Sequence, residues 1–191
     1  MINIDKTLSV EEKAIAKSLV GRTIASIDAA LAAPPNIAWN TVRLHTDAGS
    51  VDVSCLLQAL PVNGQGDDEE LGVISVSKAP DVPLEVPTIS ADTQTAQLGL
   101  RVTGVELVDD ALTVLEDGTP TYRRATTKAI VLRTDGDSIA LDRQAWFDEM
   151  LAVNVSTDDK DLVFDEWADF EDDEEEEPGV HYEFSNRWER L

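Results

Sequence analysis

The chain has 191 residues, 42% of them hydrophobic, and a formal net charge of −23. That is enough apolar content for one large core or two small ones, and disorder throughout is not expected. Residues near Met1 include Asp5 and Lys6 and lack the apolar stretch of a secretion signal; no apolar run approaches the roughly 20 residues of a membrane span, so a cytoplasmic location and no membrane partner are expected. One cysteine, Cys55, and two histidines, His45 and His181, cannot supply an internal disulfide or a Cys/His zinc site.

The charge is unevenly placed. Residues 1–98 carry 13 acids and 6 bases, net −7, whereas residues 99–191 carry 25 acids and 9 bases, net −16. Residues 158–177 hold 13 acids against Lys160 alone, net −12, about half of the total. Such a field repels nucleic acid and anionic membrane and steers basic partners toward the protein, an effect that salt screens.

The first element predicted is a helix over 10–19. Ser9 and Glu12 stand at capping-box spacing, and Gly21 follows where a helix stops. From there the chain reads as two faint copies of one pattern. Residues 20–28 match 98–106 in apolar and polar character, 42–53 match 130–141, and 70–77 match 149–156. Each copy predicts strand, hairpin, short helical turn and strand. In the first hairpin, a tight loop at Ala48 and Gly49 is expected to set Leu44 opposite Val53 and Thr46 opposite Val51, with Val42, Leu44, Val51 and Val53 on one face. The second turns at Gly136 and Asp137 and sends Ile130, Leu132, Ile139 and Leu141 inward. A helical turn then follows each hairpin, capped by Ser54 or Asp142, with Leu56, Leu57 and Leu60 or Trp146, Phe147 and Met150 in the core.

Three prolines, Pro80, Pro83 and Pro87, mark 79–97 as an extended connection between a unit at 1–78 and a unit at 98–191. Leu162, Phe164, Trp167 and Phe170 are apolar anchors after the second copy. The run 171–177 has none and reads as a solvated acidic loop, and Val180, Tyr182 and Phe184 then alternate as a C-terminal strand would. The expected fold class is α+β, predominantly antiparallel β: two duplicated strand, hairpin, helical turn and strand units behind a short N-terminal helix.

Catalytic chemistry is hard to place on this pattern, and no catalytic residue, cofactor or metal site is assigned. His45 points away from the apolar face and is expected beside Asp52 as an exposed cross-strand pair, while His181 lies on the polar side of its strand. Calcium needs oxygen ligands at alternating positions, and 135–137 and 158–161 carry only fragments of that spacing. Carboxylates are the one abundant functional group. The leading functional expectation is an acidic, non-enzymatic binding protein, an inhibitor or immunity-type protein that occludes a basic partner such as a nuclease toxin or nucleic-acid-binding protein, without touching nucleic acid itself. The residues assigned to partner binding are Asp158, Asp159, Asp161, Asp172, Asp173, Glu174, Glu175, Glu176 and Glu177. The alternatives are a structural or assembly component whose acidic run serves only solubility, and a DNA mimic; homo-oligomers are compatible with each.

Overall fold

The computed structural model describes residues 1–31, 36–61, 68–84, 93–145, 147–163 and 179–191. Of the described residues 71% lie in strands and 7% are helical, which overturns the α+β expectation. In chain order the elements are β1 (Ile2–Lys6), α1 (Val10–Lys17), β2 (Thr23–Leu31), β3 (Ile37–Thr46), β4 (Gly49–Pro61), β5 (Asp68–Lys78), β6 (Thr93–Glu116), β7 (Thr119–Thr134), β8 (Ser138–Arg143), β9 (Met150–Ser156) and β10 (Val180–Arg190). A 3-10 turn, Asp159–Asp161, follows β9.

The helix starts as its sequence requires. The Ser9 hydroxyl accepts from Glu12 N at 3.3 Å, and the Glu12 carboxylate accepts from Ser9 N at 2.9 Å, so two otherwise unpaired donors satisfy each other's residues. Among the described residues the helical turns expected after the hairpins are not formed. Residues 54–60 continue β4, whose pairing with β5 runs from Val51 to Pro61. Asp142, expected as a cap, lies inside β8 and is buried. The side chains assigned to those turns scatter accordingly: Leu60 is buried, but Leu56 is 44% and Phe147 57% exposed; Trp146 lies outside the described residues.

Strands β2 to β5 form one antiparallel meander and β6 to β9 another, with equivalent pairings. Ile27 faces Leu44 as Val105 faces Leu132, Leu44 faces Val51 as Leu132 faces Ile139, and Val42 faces Val53 as Ile130 faces Leu141. The first hairpin is therefore two residues from its expected register. That slip preserves the inward face, because strand side chains repeat every two residues. The third sequence block is likewise displaced by two: Val76 faces Val53 as Val153, not Val155, faces Leu141. Turn chemistry repeats too. Thr46 Oγ1 accepts from Ala48 N at 3.2 Å, and Thr134 Oγ1 accepts from Gly136 N at 3.0 Å. Asp47 exchanges hydrogen bonds with the Thr23 backbone, and Asp135 does the same with Arg101. Gly21 and Gly99, two residues before these anchors, both have φ in the left-handed region, 87° and 72°, where a side chain would strain the backbone.

Two non-local pairings, β2 with β6 and β3 with β9, close the ring β6-β7-β8-β9-β3-β2 into an antiparallel barrel, with β4 and β5 branching from β3. The branch point is Asn40. Its φ of 53° bends β3, so that residues before it pair with β9 and residues after it pair with β4. Asn is one of the few residues that enters this region readily, and its amide is held by Glu149 at 3.1 Å. Both meanders, with Leu8, Ala16 and Leu19, share one core that includes Ile24, Ile27, Leu44, Val105 and Leu132. The connection expected over 79–97 is shorter than that, since β6 begins at Thr93 and pairs with β2. Beyond the barrel the β6–β7 hairpin extends outward, flanked by parallel β1 on β7 and antiparallel β10 on β6.

Several charged groups are buried in this fold. Arg143 Nη2 donates to Asp110 Oδ2 at 2.6 Å, and Nη1 donates to Thr126 Oγ1 at 3.1 Å and to the Gly72 carbonyl at 3.2 Å. Arg43 forms a two-pronged pair with Asp52, at 2.7 and 2.9 Å. Lys128, carried inward at a register shift in β7, lies 3.9 Å from Asp142. Buried charge survives only when paired and hydrogen-bonded.

Candidate functional site

Of the nine carboxylates assigned to partner binding, Asp172 to Glu177 lie outside the described residues. Asp158, Asp159 and Asp161 gather at the 3-10 turn after β9. Each has local work there. Asp158 caps the turn by accepting from Lys160 N at 3.1 Å, Asp159 pairs with Arg133, and Asp161 accepts from Ser156 Oγ at 3.3 Å. The β8–β9 register, with Ser138 opposite Ser156, brings the turn containing Asp135 and Asp137 to the same end of the sheet. The result is an acidic end at which the Arg133 guanidinium is already engaged by Glu106 and Asp159. Hydrogen bonds from Arg133 to Asp159, opposed by burial and reinforced by Glu106, hold this guanidinium above its ordinary pKa. Lys160 and Asp161 also rim a cleft of about 360 Å³ whose floor includes Asp142 and Arg143 and whose wall carries Asn36 and Asn154.

The buried charges decide how the remaining charge is distributed. Among the described residues Arg43, Arg124, Lys128 and Arg143 are buried, and so are Asp52, Asp109, Asp110 and Asp142, four cations and four carboxylates. They cancel. The net −23 is therefore carried by the groups outside this buried set. Sequence patterning treats charged residues as surface, and it carries no signal for this set: Asp142 reads as a cap and Asp52 as half of an exposed pair.

His45 does not pair with Asp52, whose partner is Arg43. The two-residue register difference puts Ser50 opposite His45 instead. His45 Nδ1 lies 2.9 Å from Ser50 Oγ, and Nε2 lies 2.7 Å from Asp28 Oδ2 on β2, whose other oxygen accepts from Thr95 Oγ1 at 2.7 Å. Burial raises the Asp28 pKa, and the hydrogen bonds from His45 and Thr95, with the charges of His45 and Arg43, lower it by more, so the carboxylate is held below its ordinary value. A serine, an imidazole and a carboxylate in a row are the parts of an activated nucleophile. The second meander argues for another role. Its equivalent positions hold Ser138, Arg133 and Glu106, joined by Arg133 to Glu106 Oε2 at 2.6 Å and to Ser138 Oγ at 3.5 Å. A guanidinium cannot act as a base, so what the two meanders share is a polar clip across three strands.

Among the described residues no group of three or more His, Cys, Asp or Glu could hold a metal ion, and no helix is long and apolar enough to cross a membrane. Cys55 is buried on the inner face of β4, away from His45 on the outer face of β3. No protein-family model, curated protein or solved structure matches the chain.

Proposed function

We propose that the protein is an acidic, non-enzymatic binding protein of the inhibitor or immunity type, which captures a basic protein partner in the cytoplasm, a nuclease or other nucleic-acid-binding protein being the partner class. The observation that carries this reading is the cancellation of the buried charges, four against four among the described residues, which leaves the net −23 to the groups outside that set. Charge of that sign competes with nucleic-acid phosphates for the same arginines and lysines. It raises the encounter rate with a basic face and disfavours acidic partners. Asp158, Asp159 and Asp161 begin the acidic stretch that runs on to Glu177. Their local bonds leave carboxylate oxygens with spare acceptor capacity, since each ionised carboxylate takes about four hydrogen bonds.

The test compares the wild type with a variant in which Asp172 and Asp173 become Asn and Glu174 to Glu177 become Gln. After a partner is recovered by affinity capture and shown to be inhibited by the pure protein, surface plasmon resonance at low and physiological salt gives both rate constants. The variant should associate more slowly, with little change in dissociation, and the wild-type advantage should shrink as salt rises. Equal association at low salt would remove the acidic run from recognition. Recovery of no basic partner would count against the whole reading.

A further inference from the structure

We infer that a hollow on the outer face of the β6–β7 arm binds a small zwitterion of amino-acid type, its carboxylate set between Arg123 and Arg187 and its ammonium on Asp5. The register lays Asp5, Ala125, Ala111 and Ser185 in one row across β1, β7, β6 and β10. Alternate strand residues share a face, so Arg123 and Arg187, each two residues from that row, stand on the same side of the sheet. They flank the row from opposite directions, because β7 and β10 run the same way and Arg123 precedes Ala125 while Arg187 follows Ser185. The two alanines at the centre of the row leave a hollow of about 220 Å³, which both arginines line. Sites for drug-sized molecules occupy roughly 300–1,000 Å³, so this one suits a ligand of few heavy atoms.

The ligand class follows from which polar groups around the hollow are unused. Among the described residues Arg123 is half-buried and makes no hydrogen bond or ion pair. Arg187 uses only Nη2, for Asp109 at 3.2 Å and Glu189 at 2.9 Å, which leaves Nε and Nη1 as donors. Asp5 accepts from the Thr7 hydroxyl at 2.7 Å and from Thr7 N at 3.0 Å, both on Oδ1, so Oδ2 keeps its acceptor sites. Those two bonds hold the carboxyl below its ordinary pKa against the effect of burial, with Arg123 and Lys13 adding to the lowering, and it is ionised at neutral pH. Asp109 and Asp110, also in the lining, are committed, the first to Thr127 and Arg187 and the second to Thr126 and Arg143. Free guanidinium donors and one free carboxylate oxygen call for a ligand with a charge of each sign, since ionised partners make the stronger hydrogen bonds. Long-range charge selects in the same direction. A chain at −23 repels a lone anion and the two arginines repel a lone cation, whereas a zwitterion has no net charge for either to oppose. Binding here does not depend on the acidic-capture reading.

Isothermal titration calorimetry of the full chain with glycine, β-alanine and γ-aminobutyrate, zwitterions of increasing charge separation, should give saturable binding for at least one of them. Acetate, methylammonium and glycerol, which lack one charge or both, should bind about ten-fold more weakly or not at all. Arg123→Gln and Asp5→Asn should each weaken the zwitterion that binds by about ten-fold or more, because each removes a charge-assisted contact. Ala111→Leu gives a second reading that leaves every charge in place: filling the hollow should remove binding while circular dichroism melts remain those of a folded chain. Absence of binding by all three zwitterions, acetate or glycerol binding as tightly as they do, or full affinity retained in any of these folded variants would each overturn the inference.

Discussion

Replacing Arg143 by Met should be among the most damaging single changes available in this protein. The side chain is 1% exposed and its guanidinium serves three groups at once: Asp110, Thr126 and the Gly72 carbonyl, on β6, β7 and β5 respectively. Methionine keeps much of the apolar stem but removes every donor. Asp110 is then left buried with the Thr126 hydroxyl as its partner, and the Gly72 carbonyl loses the side-chain donor that ties β5 to β8. Breaking a buried pair from one side costs about 3–5 kcal/mol. That is at least about a fifth of the roughly 5–15 kcal/mol a domain has. Asp110→Leu should cost a similar amount by stranding Arg143. The double variant should cost only about 1–3 kcal/mol, chiefly for the unsatisfied carbonyl, so the singles and the double should differ from additivity by several kcal/mol. Urea melts followed by circular dichroism and tryptophan fluorescence give all four corners of the cycle. An Arg143→Met loss below about 1 kcal/mol, or additive singles, would mean that the network does not hold β5 against the barrel.

Leu44→Ala and Leu132→Ala, at equivalent and fully buried positions (both 0% exposed), should each cost about 2–5 kcal/mol in the same melts; a near-neutral result at either would contradict the shared inward face of the two meanders. Asp28→Asn tests the clip by pH. Because the native pKa of Asp28 is held below 3.8, its ionised form contributes stability above that value and loses it as the pH falls through the native pKa. Wild type should exceed the variant by about 0.5–1 kcal/mol at neutral pH, the size expected for a partly exposed pair, and the two should converge in acid. A pH-independent difference would assign the effect to packing.

Some of this protein was determined by local sequence. The helix start needs only Ser9 and Glu12, three residues apart, and it forms as written. The inward faces of both hairpins follow from alternation, and Val42, Leu44, Ile130 and Leu132 are buried accordingly. Alternation cannot settle register to better than two residues, because a two-residue slip returns every side chain to the same face. The Leu44 partner and the third block were both displaced by that amount. The stretch after Ser54 was ambiguous for a related reason: a short apolar run suits a helix or a strand until a partner is present. Here β5 supplies the ladder, and Leu71 and Val73 receive Leu60. Barrel closure, the bend at Asn40 and the buried set around Arg143 depend on contacts between residues far apart in the chain. Arg143 is surface-like by composition and buried only because β5, β6 and β7 converge on it with an acceptor each; tertiary structure alone could decide that.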